Sequence, residues 1–301
     1  MNGFINQSIA KPVSSEKWSI STMCKRVSKA RTIFALALTL FAGASAHAAG
    51  GAMQYLDAKV DLSNRASLQR GAKVFVNYCL SCHAMSYMRY NRIGQDLGLT
   101  DEQVAGNLMF AADKVVEQMN IAARPENMEN WFGVVPPDLS VIARARGADY
   151  LYSYLVTFYQ DANPARPFGV DNVVLKGAAM PHALWPLQGH QKYVKEEVAG
   201  EKNSNITALG TRGDEVLIHR EVTLQDDSKV HATDRLQVAI EGSMQPGQYR
   251  GAVRDLVNFL VYAGEPAQLV RSRIGVWVLL FLGVLFVLTR MLYKEYWKDV
   301  H

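Results

Sequence analysis

The segment Cys79-Leu80-Ser81-Cys82-His83 constrains this chain more than any other feature, because two thiols and an imidazole fall within five residues. This is the C-x-x-C-H pattern, in which two cysteines on one turn reach the vinyl groups of a porphyrin. The histidine that follows then lies under the iron as an axial ligand. We therefore predict one covalently attached haem c, bound by Cys79 and Cys82, with His83 as an iron ligand.

Two other uses of a cysteine pair are disfavoured. A structural zinc site needs about four ligands, but the chain has only three cysteines, and the third, Cys24, lies near the start. A thioredoxin-like redox pair follows a strand in a βαβ unit, whereas the residues before Cys79 have apolar side chains at helical spacing. Three cysteines are also too few for a disulfide framework.

The residue on the other face of the iron decides the chemistry. A methionine there raises the reduction potential and suits electron transfer, whereas an empty position suits ligand binding or peroxide chemistry. Two methionines in irregular segments are candidates: Met180, before Pro181, and Met244, before the last helix of the body. His182 is a third candidate, although a second histidine would lower the potential. Spacing alone does not choose among them.

The start of the chain has the order of a secretory signal. Basic residues precede the apolar run 33–42, and small residues follow as far as Ala48. The alternative is an N-terminal anchor, but ten apolar residues are short of the ~20 that span a bilayer. We predict cleavage after Ala48. Translation could begin at Met1 or at Met23, which directly precedes the basic residues.

A second apolar run, Ile274 to Leu288, lies near the end of the chain and extends to Leu292 if Arg290 reaches toward the headgroups. About 19 residues at ~1.5 Å rise give ~28 Å, close to the ~30 Å hydrocarbon core. A buried core helix is the alternative, but the run has no polar face. We predict a transmembrane anchor, with the export signal placing the body outside and the tail inside.

These segments define four predicted regions. Residues 1–48 form an extension and cleaved signal, 49–270 a periplasmic body, 271–292 the anchor and 293–301 a cytoplasmic tail. The formal net charge of +4 gives no reason to expect a nucleic-acid partner. The chain is long enough to form one sizeable core or two small ones.

The pattern of the body predicts a mainly α fold with long loops. Apolar residues recur at helical spacing in Ser67–Tyr78, Asp149–Tyr159 and Arg250–Ala263. The prolines and glycine of Glu126–Pro137 predict a loop. Val216–Val230 alternates loosely around an Asp-Asp-Ser turn, which suggests one small β-hairpin.

The chain resembles a known family at several separate motifs. These are Gly71 with Phe75, Cys82–Tyr90, Pro136–Ser140, Arg144–Arg146 with Asp149-Tyr150, and Asn258–Pro266 followed by an anchor. Together, over most of residues 50–300, they resemble the cytochrome c1 family, the haem c subunits of the cytochrome bc1 complex. The resemblance implies a c-type cytochrome domain. The Val216–Val230 hairpin looks like an insertion relative to that family, and the stretch between the haem motif and Pro136 is short compared with its mitochondrial members.

The resemblance also implies roles for six residues. They are Cys79 and Cys82 in the thioether bonds, His83 as fifth ligand, Met180 as sixth ligand, and Arg146 and Tyr150 as hydrogen-bond donors to a haem propionate. An arginine in that place would offset the propionate charge and support a high potential. Without the resemblance, Arg146 and Tyr150 would be interpreted as a surface arginine and a core tyrosine.

The function that the resemblance implies is electron transfer in the ubiquinol–cytochrome c reductase of a bacterial inner membrane. The subunit would take an electron from the Rieske iron–sulfur protein, pass it to a cytochrome c, and lie beside cytochrome b in the membrane. No side chain here would do acid–base or nucleophilic work, because the chemistry belongs to the iron. Two alternatives remain: a monohaem subunit of a terminal oxidase, which usually has an N-terminal anchor, and a haem sensor with an open sixth position.

Overall fold

The computed structural model describes residues 53–121, 123–166 and 168–299. The predicted signal, its cleavage site and both possible start sites lie outside these residues. The helices are α1 (Arg65–Tyr78), α2 (Tyr90–Leu97), α3 (Asp101–Asn107), α4 (Pro125–Phe132), α5 (Ile142–Arg146), α6 (Ala148–Val156), α7 (Trp185–Gln188), α8 (Pro246–Gly264) and α9 (Gln268–Tyr296). The strands are β1 (Met85–Arg89), β2 (Gln118–Met119), β3 (Phe158–Gln160), β4 (Val170–Asn172), β5 (Gly189–Val194), β6 (Glu201–Arg212), β7 (Glu215–Leu224) and β8 (Lys229–Glu241).

Helices α1 and α8 cross in close contact, and this crossing explains the Gly71 and Phe75 motif. A Cβ atom on Gly71 would lie 2.0 Å from the backbone oxygen of Asp255 in α8, so only glycine permits this approach. One turn later the rings of Phe75 and Phe259 lie 5.7 Å apart. The Asp255 carboxylate also accepts a hydrogen bond from Ser67 and pairs with an arginine of α1. The two helices therefore form a tightly fixed frame at the end of which the haem motif begins.

The other main layer is a six-stranded mixed sheet, with strand order β4-β3-β5-β8-β7-β6. The three long strands β6, β7 and β8 are antiparallel, and the pair β3–β5 is parallel. Apolar side chains on the inner face of this sheet, including Leu209, Ile218 and Leu236, join the same core as α1 and α8. The long strands and the helices therefore share one hydrophobic core.

The mainly α prediction is wrong. Among the residues that the structure describes, helices hold 42% and strands 23%. The hairpin turn at Asp227 is present, with Thr223 paired to Lys229, but its strands are much longer than predicted and β6 was not predicted at all. Much of β6 is polar and solvent-exposed, so it lacks the regular apolar alternation by which strands are recognised. Its pairing with β7 supplies the order that its own sequence does not indicate.

The local predictions have a mixed outcome. The helix predicted for Arg250–Ala263 is confirmed by α8, and the Ser67–Tyr78 prediction by α1. The Asp149–Tyr159 helix ends earlier than expected, because Phe158 begins β3. The loop predicted for Glu126–Pro137 is wrong in its first half. There Pro125 opens α4, a position that proline favours because its missing N–H needs no partner.

Helix α9 contains the predicted anchor. In the part of the chain that the structure describes, one helical segment is long and apolar enough to cross a membrane, residues 273–296, with a mean hydropathy of 2.3. None of its most apolar stretch is buried against the rest of the protein. An apolar helix left uncovered in this way fits a lipid environment and argues against a buried core helix.

Candidate functional site

The haem motif begins where α1 ends. The Cys79 N–H still bonds to the Phe75 carbonyl at 2.9 Å, as in the helix. The chain then turns back, so that the N–H groups of Cys82 and His83 both bond to the Cys79 carbonyl, at 3.0 and 2.8 Å. This turn puts the two thiols and the imidazole on one side of the helix end. The arrangement needs only local backbone bonds, which is why a five-residue pattern is enough to specify it.

The ring of His83 is oriented by the loop that follows α4. Its Nδ1 lies 2.8 Å from the carbonyl oxygen of Pro137, so Nδ1 carries the proton and donates. The other ring nitrogen is then left as an acceptor, the form in which imidazole binds a metal. Burial lowers the pKa of His83, against the opposing effects of Pro137 and Asp138. The imidazole is therefore held neutral and in the tautomer that ligation requires.

Asp138 ties this loop to the segment after the haem motif. Its two carboxylate oxygens accept the N–H groups of Ser86, at 2.9 Å, and Ser140, at 2.7 Å. The Leu139 N–H also bonds to the Ala84 carbonyl at 2.8 Å. The Pro136–Ser140 motif thus keeps the Pro137 carbonyl in place under the ring of His83.

The six predicted site residues line one cavity of about 290 Å³: Cys79, Cys82, His83, Arg146, Tyr150 and Met180. Much of the remaining wall is apolar. Leu256 and Leu260 of α8 contribute to it, as do Leu155 of α6 and Phe132 of α4. A largely apolar ring that is bound through two thiols fits the chemistry of this cavity, because its walls are hydrophobic and both thiols and the imidazole line it.

The state of the two cysteines agrees with thioether formation. Neither Cys79 nor Cys82 is in a disulfide. Burial, and next the neighbouring Cys82, raise the pKa of the Cys79 thiol to about 12. A zinc site would need thiolates and further ligands, and no group of three or more such side chains occurs among the described residues. The donor set fits a haem c better than a metal ion alone.

Arg146 and Tyr150 lie together on the cavity wall. The guanidinium carbon of Arg146 is 5.6 Å from the centroid of the Tyr150 ring, within the range of a cation–π contact. Tyr55 packs edge-on against the same ring, at 5.5 Å. The neighbouring Arg144 turns away and pairs with Glu265 at 2.6 Å. Of the two arginines in this motif, Arg146 is therefore the one placed to meet an anionic group in the cavity.

The three candidates for the second axial ligand occupy different places. Met180 lies on the cavity wall, flanked there by Ala179 and Pro181. Met244 lies in a separate groove of about 420 Å³ between the sheet and the start of α8. His182 is buried, and its ring stacks on Phe158 at 4.9 Å. Only Met180 shares a cavity with His83, and its role as iron ligand remains a prediction.

Sequence reasoning missed two parts of the site. The Pro137 carbonyl was not foreseen, since a backbone oxygen leaves no mark in a sequence beyond the motif around it. The cavity wall formed by Phe132, Leu256 and Leu260 was also missed. The two leucines belong to the apolar stripe that predicts α8, which gave no reason to separate the positions facing a cavity from those in the core.

Comparison with known proteins gives consistent results. The model of the Cytochrome C1 family matches residues 57–196 and 238–300. The unmatched segment, residues 197–237, contains β6, β7 and most of β8, in agreement with the predicted insertion. Cytochrome c1 of Allochromatium vinosum is 42% identical over 271 residues, which is 90% of this chain and 100% of the relative.

Two further relatives add to this result. A protein of Nitrosomonas europaea named ammonia monooxygenase gamma subunit is 40% identical, over 89% of this chain and 98% of its own length. Cytochrome c1 of Rhodospirillum rubrum is 27% identical, over 77% of this chain and 81% of its own length. The chain therefore belongs to the cytochrome c1 family, and as a member of it carries one covalently attached haem c and transfers electrons in a cytochrome bc1 complex.

Proposed function

We propose that this subunit accepts one electron at a time from a Rieske iron–sulfur protein and passes it to a cytochrome c, while its anchor lies beside cytochrome b. The observation that carries the proposal is the single cavity shared by both thiols, His83 and Met180. When bound there, haem c supplies a one-electron couple whose potential depends on its axial ligands and surroundings. No general acid or base is needed from the chain.

The residues of the chain hold and tune that group. Cys79 and Cys82 would form the thioether bonds, His83 and Met180 would bind the iron, and Arg146 with Tyr150 would bind a propionate. The apolar cavity wall would keep water away from the iron, which would support a high potential. The Pro137 hydrogen bond fixes the His83 ring, so the imidazole would bind the iron without having to reorient.

We also propose the predicted topology. Residues 1–48 are removed on export, residues 49–270 form the periplasmic domain, 271–292 span the inner membrane and 293–301 remain in the cytoplasm. The apolar helix 273–296 supports the anchor. N-terminal sequencing of the purified protein should begin at Ala49, and peptides from residues 1–40 in the mature protein would contradict this cleavage. A chain cut after Pro266 should need no detergent to stay in solution.

Affinity purification of the tagged full-length chain from its own membranes tests the function. Cytochrome b and a Rieske protein should copurify, and the preparation should reduce cytochrome c with ubiquinol as donor. Because one close relative has a different name, copurification with monooxygenase subunits and no quinol activity would contradict the proposal. Copurification with oxidase subunits would favour the terminal-oxidase alternative, and carbon monoxide binding to the reduced haem would favour the sensor alternative.

A further inference from the structure

The loop that carries Met180 is held by the short hairpin formed by β3 and β4. Strand β4 runs from Val170 to Asn172 and all of its residues are buried. Met180 follows eight residues after this strand, in a segment without regular secondary structure. Such a segment has no backbone ladder to fix it, so its position depends on side-chain contacts.

Asp171 provides the first of these contacts. Its Oδ1 accepts the backbone N–H of Gly177 at 2.7 Å, three residues before Met180. The Asp171 side chain is only 2% exposed and pairs with Arg166 at 2.6 Å through its other oxygen. Arg166 also pairs with Asp161 at 3.2 Å. A buried, charged acceptor makes a stronger hydrogen bond than a neutral one, because low local polarity strengthens the attraction.

Asn172 holds the first turn of the same loop. Its Oδ1 accepts the N–H groups of Val174, at 2.9 Å, and Leu175, at 3.2 Å, and its Nδ2 donates to the Tyr154 carbonyl at 2.7 Å. Tyr154 belongs to α6, which forms part of the cavity wall. The loop is therefore tied to the same helix that bounds the cavity.

Residues on both sides of Met180 pack into the small core that contains Phe158. Ala178 lies in a small buried cluster with Phe158, and His182 stacks on the same phenylalanine with the two ring planes 8° apart. Residues 179, 180 and 181 between them turn to the cavity. The core around Phe158 therefore holds the loop on either side of the proposed ligand. The Gly177 N–H is the point at which a charged group, the Asp171 carboxylate, binds the loop backbone.

We propose that Asp171 is a positioning residue for the sixth ligand: through its hydrogen bond to Gly177 it holds Met180 against the iron. This rests on the proposed ligand role of Met180. The charge of Asp171 strengthens this bond, but the position of the acceptor oxygen matters more, because a neutral oxygen in the same place still accepts the Gly177 N–H whereas a displaced oxygen does not.

The test uses the full-length mature haem protein in detergent, with imidazole as a competing ligand for the ferric iron. Asp171→Ala should weaken the thioether-to-iron charge-transfer band and raise imidazole affinity about tenfold or more, since a charge-assisted hydrogen bond is lost. Asp171→Asn can keep an oxygen facing the Gly177 N–H but then turns an NH2 group toward Arg166, and it should raise the affinity less than Asp171→Ala does. Asp171→Glu keeps the charge but displaces the oxygen, so it should raise the imidazole affinity more than Asp171→Asn does.

Asp234 offers a matched control. It is fully buried in β8 and pairs with Arg220 at 2.9 Å, and none of its hydrogen-bond partners, Tyr193, Glu196 and Arg220, belongs to the Met180 loop. Asp234→Ala should lower the melting temperature while leaving imidazole affinity unchanged. A rise in imidazole affinity as large as that of Asp171→Ala would show that general loosening is the cause and would overturn the proposal.

Two other outcomes also decide the matter. An unchanged band and imidazole affinity in Asp171→Ala, or a larger effect of Asp171→Asn than of Asp171→Glu, would overturn the positioning role. If Asp171→Ala does not accumulate, the imidazole affinities of the Asn and Glu variants decide the test, with the Glu variant expected to bind imidazole more tightly. Met180→Leu separates the ligand role of Met180 from the positioning role of Asp171. A band that survives Met180→Leu refutes the ligand role, whereas a band lost in Met180→Leu but intact in Asp171→Ala refutes only the positioning role.

Discussion

The helices around the cavity and the unmatched segment 197–237 are built on different principles. The α1–α8 crossing brings two backbones together at Gly71 and fills the contact with aromatic rings. In the unmatched segment, by contrast, the buried side of the sheet includes an ion pair between Arg220 and Asp234, which Tyr193 joins through its hydroxyl. None of the six site residues belongs to that segment. The family pattern is therefore kept where the cavity depends on close packing, and the chain departs from it where the cavity is not touched.

A substitution at the crossing should have the largest effect. Gly71→Ala places a Cβ against the backbone carbonyl of Asp255, which cannot move aside as a side chain would. We expect a loss of about 4 kcal/mol or more in the free energy of unfolding, or no folded protein, as for other severe overpacking. Thermal unfolding of the haem-loaded protein measures this loss.

Gly251 is the matched control for this prediction. It also lies inside α8, but a Cβ there would meet nothing within 4 Å. Gly251→Ala should stabilise the helix by about 0.5–1 kcal/mol, because alanine loses less backbone entropy than glycine. Equal effects of the two changes would show that helix propensity, and not the crossing, decides stability.

Breaking the buried ion pair should destabilise the sheet and spare the haem. Arg220→Met leaves the fully buried Asp234 without a cation beside it, at an expected loss of about 3 kcal/mol. The double variant with Asp234→Leu should recover part of that loss. The melting temperature measures the loss of stability, and the charge-transfer band should stay unchanged if the haem site is spared. A band that changes in step with stability would show that the two regions are coupled.

Replacing each of the two candidate methionines by leucine should show which of them binds the iron. Met180→Leu should keep the covalent haem, lose the charge-transfer band and lower the potential on the order of 100 mV, or about 2.3 kcal/mol for one electron. A neutral thioether favours ferrous iron, so its loss favours the ferric state. Met244→Leu should leave both quantities nearly unchanged, since Met244 lies in a different groove. The opposite result would assign the ligand to Met244.

The smallest effect is expected on the outer surface of the unmatched segment. Lys202 pairs with Asp227 at 2.8 Å, and both side chains are more than half exposed. Lys202→Ala should change stability by less than about 0.5 kcal/mol, because water and salt screen such pairs. A loss as large as that of Arg220→Met, measured by thermal unfolding, would show that burial is not what distinguishes these two pairs.

The sequence predicted the parts of this molecule that local chemistry determines. The haem motif, α1, α8 and the apolar C-terminal helix follow from spacing within one segment. The six-stranded sheet could not be predicted in this way, since β5 pairs with β8 about forty-five residues later and β6 is largely polar. Met180 was one of three candidate ligands in the sequence, and spacing alone did not choose among them. Its place in the cavity depends on Asp171, Asn172 and Phe158, whose contacts are long-range or run from side chain to backbone.

The α1–α8 crossing also sets an order of events for a newly made chain. Ser67 and its partner Asp255 are separated by 188 residues, so this frame cannot close until almost the whole body has been made. Contacts of such long range form late, because loop-closure entropy opposes them. The two thiols and His83, by contrast, emerge together as one short segment. Haem attachment to this short segment therefore does not need the α1–α8 frame, and a porphyrin attached early would offer the later helices an apolar surface to pack against.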